Sequence, residues 1–236
     1  MKVGIIGAME MEVARLKEQM QEPKITVRAG MSFCEGRLGL FDAVIVRSGV
    51  GKVNAAAAVQ ILADCFQVTH VINTGAAGSL DARINIGDIV VSTDLVQHDV
   101  DAVLFGYEPG EVPQLHTVSF PADEGLRSAA KKAVESADPD ISVWEGRIAS
   151  GDQFICEKEK KNWIRDTFHA VCTEMEGAAV AQTCWINHLP FVVIRAISDK
   201  ADESVSISYD EFERNAAEHS ARMVEYMMSN SDLFTE

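Results

Sequence analysis

Carboxylates are the reactive side chains that recur at informative places in this sequence. Glu10 and Glu12 follow the apolar run GIIGAM; Glu174 and Glu176 flank Met175 in EMEG; Asp199 ends the run PFVVIRAISD, four residues after Arg195. Each has an ordinary explanation when taken alone. Glutamates favour the positive end of a helix dipole, acids are common on surfaces, and an Asp can cap the turn that follows it. An acid at the end of an apolar strand is also a candidate for partial desolvation, the condition for a carboxyl that donates a proton near neutrality. Three separate strand ends thus present an acid, with methionines and aromatics nearby. The six histidines form no HExxH pair and the five cysteines no CxxC, so the set does not read as a metal site. Carboxylates without metal ligands suit acid/base work on a sugar linkage, one acid protonating the leaving group and another handling water.

Two glycine-rich segments bear on ligand class. GIIGAME lacks the GxGxxG spacing of a dinucleotide site and puts Glu10 and Glu12 where a pyrophosphate needs donors. NTGAAG, at 73–78, lacks the GK[ST] ending of a phosphate-binding loop. It reads as a tight turn after a strand, with backbone amides available to a ligand.

The elements that must position these residues alternate. Val3 to Ile6 forms a strand, and Met9, Val13, Leu16 and Met20 then recur at helical spacing. ITVRAG, SFCEGRL and FDAVIVRSG read as strands before the helix KVNAAAAVQILADCF. VTHVINTGAAGSL and GDIVVSTDLVQHD are strand-like; residues 100–121 lack periodicity and read as a functional loop or lid. ADEGLRSAAKKAVESA and EKEKKNWIRDTF read as helices on either side of the strand WEGRIASGDQF. VCTEM is a short strand running into the small-residue helix EGAAVAQTCWINH, and PFVVIRAISD is the most apolar strand. A last helix opens with a capping box, Ser208 to Glu211, and has an apolar face at Tyr209, Phe212, Ala216, Met223 and Met227. This order predicts an α/β sandwich with a largely buried, partly parallel sheet, as a single domain over 1–236. Ligands in such sheets collect at the carboxyl ends of strands, which is where the acids fall.

Composition narrows the partners. In 236 residues, 21 basic against 36 acidic side chains leave a net charge of −15. That sign repels phosphate backbones and anionic headgroups, so no nucleic-acid or membrane partner is expected. There is no recognisable targeting segment or membrane span, and the odd number of cysteines reads as reduced thiols in a cytoplasmic protein.

Taken in order, GIIGAMEMEV, SGVGKVNAA, INTGAAG, GDIVVS, SGDQFI, EMEGAAVA and VVIRAISDKAD resemble the bacterial 5′-methylthioadenosine/S-adenosylhomocysteine nucleosidases. These enzymes belong to the purine nucleoside phosphorylase/uridine phosphorylase superfamily, and the resemblance runs from residue 2 to about 228. It implies a three-layer α/β/α sandwich around a mixed sheet, and release of adenine from a thionucleoside by water, without cofactor or metal. It implies that Glu12 activates the water and that Asp199, beside Ser198, delivers a proton toward N7 of adenine. Glu176 would take the ribose hydroxyls, Met175 pack under the sugar, Phe154 stack on the base and the backbone of Ile155 read its edge. Arg195 and Glu174 match supporting polar positions, while Met9 and Val50 match apolar wall. Phe105 and Pro113 match residues that reach into a neighbouring subunit's pocket, implying a homodimer, and Tyr209 matches an aromatic over the 5′ side. Ala76 stands where many relatives carry a hydroxyl, which leaves more of that work to backbone amides.

The nearest competing reading is a phosphorylase, which needs a cationic phosphate cradle that Arg28 or Arg47 would have to supply. Two more compete with it: a futalosine-type hydrolase, and a non-catalytic nucleoside binder, which would not need both Glu12 and Asp199.

Overall fold

The computed structural model describes residues 1–201 and 209–230, and for 209–214 the backbone alone. Among them, short apolar runs become ten strands: β1 (Lys2–Gly7), β2 (Gln21–Arg28), β3 (Met31–Leu38), β4 (Phe41–Arg47), β5 (His70–Ser79), β6 (Ile89–Gln97), β7 (Ser119–Pro121), β8 (Val143–Ser150), β9 (Cys172–Glu174) and β10 (Phe191–Asp199). Between and after them lie α1 (Glu10–Glu18), α2 (Lys52–Phe66), α3 (Glu124–Ala137), α4 (Lys158–Phe168), α5 (Gly177–Ile186) and α6 (Tyr209–Ser229).

One sheet holds all ten strands, in the order β10-β6-β8-β9-β5-β1-β4-β3-β2 with β7 on β6. Because β10 also pairs with β5, the strands β5, β10, β6, β8 and β9 close into a ring. The pairings are mixed: β1 runs parallel to β4 and β5, and β10 parallel to β5 but antiparallel to β6. Every residue of β10 is buried. Its side chains alternate between two apolar clusters, Phe191, Val193 and Ile197 in one and Val192, Ile194 and Ala196 in the other. A strand covered on both faces favours apolar residues on both, which is why Phe191–Ile194 shows no alternation.

The first cluster includes side chains of α2 and α5; the second includes those of α1, α3 and α6. Helices therefore cover both faces, giving three layers. The alanines of α2 and α5 let these two helices share a face, with Ala55, Ala58, Ala178 and Ala181 all buried. Ala216, Met223 and Met227 of α6 are buried as their spacing predicts. The Ser208–Glu211 capping box and the side chains of Tyr209 and Phe212 lie outside the described residues.

Three sequence expectations need correction. NTGAAG is no turn: 73–78 is the second half of β5, paired with β10 over the whole segment. The strand read as WEGRIASGDQF stops at Ser150, and 151–155 runs on as irregular chain. The irregular segment after β6 contains a single 3-10 turn, Val103–Phe105, and ends in β7, which pairs with β6.

Candidate active site

The carboxyl ends of β1, β5, β9 and β10 converge on a cavity of about 230 Å³. Eleven of the residues singled out from the sequence line it: Met9, Glu12, Val50, Ala76, Phe154, Ile155, Glu174, Met175, Glu176, Ser198 and Asp199. Ala8, Ala77, Gly78, Gln153 and Thr173 complete the wall. Sequence reasoning missed these five. Small apolar and single polar residues carry no chemical signature, although Ala8, Ala77, Gln153 and Thr173 each adjoin a residue that was named.

Glu12 is the third residue of α1, and its carboxylate turns back over the helix start. Oε2 accepts from the backbone N–H of Met9 at 2.9 Å, and Oε1 from that of Ala76 at 3.2 Å. The side chain is buried, at 3% exposure. Burial raises its pKa; the Met9 amide, the Arg195 charge and the Ala76 amide offset part of that rise. Its neighbour Glu10 is exposed and pairs with Lys17 at 2.8 Å, so only one of the two acids reaches the cavity. Gly75 makes room for Glu12: a Cβ there would sit 2.5 Å from Oε1. The glycine of NTGAAG thus serves close approach and not a turn conformation.

Glu174 and Glu176 lie on either side of the β9–α5 junction. Arg195, fully buried on β10, donates to Glu174 Oε2 at 2.5 Å and to Asn73 Oδ1 at 2.6 Å. Glu174 also accepts from Ser150 Oγ and from the backbone N–H groups of Glu176 and Gly177 at the start of α5. Burial would raise this carboxyl, but Arg195 and those donors outweigh it and hold it below the usual range. Glu176 accepts on Oε1 from the Gly51 N–H at 2.8 Å. Burial, then the negative charge of Glu174, pushes its pKa up to about 7 against the opposing pull of Arg195.

Asp199 faces the same space from β10. A register shift between Ile197 and Asp199 inserts Ser198 and sets Asp199 opposite Gly78 of β5. Such bulges re-aim side chains beside active sites. Ser198 Oγ donates to Asp199 Oδ2 at 2.9 Å, and the Ala201 N–H to Oδ1 at 2.6 Å. Gly78 again leaves the room, since a Cβ there would lie 2.8 Å from Oδ1.

Phe154 is half exposed at the rim and Ile155 is buried beneath it. Arg195 stands behind the wall, against Glu174. Phe105 and Pro113 do not line the cavity of this chain; both are exposed, Phe105 at 82%. Tyr209's side chain is not among those described. Among the described residues no lysine or arginine lines the cavity. Arg28 donates to its own neighbour's carbonyl, Val27 O, and Arg47 points toward Glu10 at 3.9 Å.

Known proteins match the chain over nearly its whole length. A family model described as the phosphorylase superfamily matches residues 2–229. A 5′-methylthioadenosine/S-adenosylhomocysteine nucleosidase of Geobacillus kaustophilus is 45% identical over 230 residues, 97% of each chain. The solved structure of such a nucleosidase from Colwellia psychrerythraea, in complex with adenine, superposes with a TM-score of 0.92 at 45% identity, covering 97% of this chain and 94% of that one. A futalosine hydrolase of Helicobacter pylori is less similar in sequence, at 35% identity, with a TM-score of 0.90 over 96% of each chain. At 45% identity over nearly the whole of both chains, this chain belongs to the 5′-methylthioadenosine/S-adenosylhomocysteine nucleosidase family of the phosphorylase superfamily.

Proposed function

We propose that the chain hydrolyses the N-glycosidic bond of 5′-methylthioadenosine, S-adenosylhomocysteine and related 5′-substituted adenosines, acting as one catalytic domain. The observation that carries this reading is the convergence of Glu12, Glu176 and Asp199 on one cavity whose described wall holds no cation for a phosphate. Asp199 delivers its proton to N7 of adenine as the C1′–N9 bond breaks, so that the bonding pair leaves on a neutral base. Positioned acid catalysis of this kind is worth about 10²–10⁴-fold. Glu12 takes a proton from the water whose oxygen bonds to C1′, a role suited to a carboxyl with a raised pKa. Glu176 in its ionised form accepts hydrogen bonds from the ribose hydroxyls and offsets positive charge building on the ring. Phe154 stacks on the base, Ile155 reads its edge, and Met9, Val50 and Met175 supply apolar wall around the sugar and its 5′ side. The Ala76 amide, already bonded to Glu12, does work that a hydroxyl does elsewhere in the family. A non-catalytic binder would need Glu176 and the aromatic wall but not both Glu12 and Asp199.

The uncovered apolar turn Val103–Phe105, with Leu104 at 93% exposure, supports a homodimer in which Phe105 and Pro113 complete the partner's 5′ pocket. Five unpaired cysteines suit a reducing cytoplasm, and no described helix is long and apolar enough to cross a membrane.

Free adenine measured after incubation with each nucleoside in phosphate-free buffer tests the reading. Turnover of methylthioadenosine and S-adenosylhomocysteine without phosphate is expected. A requirement for phosphate, with a 5-substituted ribose 1-phosphate as product, overturns it; a preference for a futalosine-type nucleoside reassigns the substrate.

A further inference from the structure

Outside the cavity wall, a charged cluster at the end of β6 ties together two segments that lead into the site. Asp99 follows β6. One of its carboxylate oxygens accepts from Lys52 Nζ at 2.6 Å, and the other from the backbone N–H of Asp152 at 2.9 Å. Lys52, the first residue of α2, also donates from Nζ to Gln97 Oε1 at 2.9 Å. Its backbone N–H donates to Asp152 Oδ1 at 2.8 Å. Gln97 is bonded in turn to Gln182 of α5. The Lys52 and Asp99 side chains are only 18% and 19% exposed, so these charge-assisted bonds are partly shielded from water. Between them His98 is buried against Gly151, where its ring occupies the space a side chain would take.

The segments holding Lys52 and Asp152 each adjoin a site contact. Immediately before Lys52, Gly51 donates its N–H to Glu176 Oε1. Gly51 has φ +98°, and a Cβ there would lie 3.1 Å from Asp152 Oδ1. Immediately after Asp152 come Gln153, Phe154 and Ile155 of the cavity wall. The segment beyond Asp99 leads to the exposed Val103–Phe105 turn.

We propose that Asp99 is a positioning residue which, through Lys52 and the Asp152 amide, sets the Gly51 N–H on Glu176 and the Gln153–Ile155 wall together. This assignment rests on the hydrolase reading above. One carboxylate thereby couples the ribose end of the cavity to its base end. Burial raises the Asp99 carboxyl, but Lys52 and the Asp152 amide outweigh it and hold it below its ordinary range, so the tie is ionised at neutral pH. Glu176 reports on the tie. The groups facing it are Glu174 of β9 and Glu12 of α1, which raise its pKa, and Arg195 of β10 and the Gly51 amide, which lower it. If the Gly51 amide withdraws, Glu176 titrates higher. The acid limb of kcat/KM, which follows the ionisation of Glu176 together with that of Glu12, then moves to higher pH.

Asp99→Ala, Asp99→Asn and Asp152→Ala, assayed with the wild type on methylthioadenosine in phosphate-free buffer across pH 5–9 and by thermal melting, provide the test. Asp99→Ala is expected to raise KM about tenfold, as for loss of a hydrogen bond to a charged group. It should also shift the acid limb upward by up to about one pH unit. Asp99→Asn should recover part of both, because its amide oxygen still accepts from Asp152. Asp152→Ala, an exposed side chain whose loss frees the Lys52 amide, should shift the limb in the same direction and carries the test if Asp99→Ala does not fold. An unmoved KM and acid limb in the folded variants overturn the proposal, as does a lowered melting temperature with an unmoved limb. Failure of the wild type to turn over without phosphate refutes the reaction instead, so the two outcomes are distinguishable.

Discussion

Arg195 lies within electrostatic reach of three buried carboxylates, and it can neutralise one. Its 2.5 Å bond commits it to Glu174, which stays ionised as a fixed anchor. Glu12 and Glu176, left with backbone donors, are both pushed up by burial, Glu176 to about 7. Identical side-chain chemistry thus divides, by environment alone, into one acid held below its ordinary range and two held above it. Asp199 differs again, with both oxygens held by Ser198 and Ala201. Asp199→Asn keeps its shape and one acceptor but has no proton to deliver, so kcat should fall by about 10²–10⁴-fold. Calorimetric binding of adenine to this variant should persist; unchanged turnover would remove Asp199 from the acid role.

At the scale of elements, β5 and β10 do most of the positioning. They run parallel in register from Phe191 and Val71 to Ile197 and Ala77, and the bulge then turns Asp199 toward the cavity opposite Gly78. Gly75 and Gly78 each leave a gap that a carboxylate fills. Glycine in a sequence is first a turn signal, which is why NTGAAG reads as one. Only the neighbouring strand and helix reveal that the missing side chains are replaced by Glu12 and Asp199. Gly75→Ala should therefore displace Glu12 by the better part of an ångström, for a loss in kcat of about 10²-fold with the fold intact. Circular dichroism and steady-state rates check this, and a fully active Gly75→Ala enzyme would mean that Glu12 need not sit where it does.

For the whole molecule, the ring of β5, β10, β6, β8 and β9 brings together residues far apart in sequence, such as Asn73 with Arg195 at a separation of 122 residues. The same chain leaves Leu104 and Phe105 uncovered, and a second copy is the proposed cover. Leu104→Asp should weaken self-association by about 30-fold or more, as for an apolar hot spot, and lower activity in step as the protein is diluted. Light scattering with parallel assays would decide it; a fully active monomer would refute the shared pocket. The sequence by itself determined the alternation of strands and helices, the apolar core of β10, the net charge of −15, and which acids fall at strand ends. These follow from local periodicity, charge and motif order, which need no knowledge of neighbours. Apart from the family resemblance, which chose Glu12, it could not separate Glu12 from Glu10, distinguish the strand NTGAAG from a turn, or single out Asp99, Lys52 and Asp152 from other surface charges. Tertiary structure decided those, because burial, hydrogen-bond partners and the space a glycine leaves are properties of what another part of the chain places alongside.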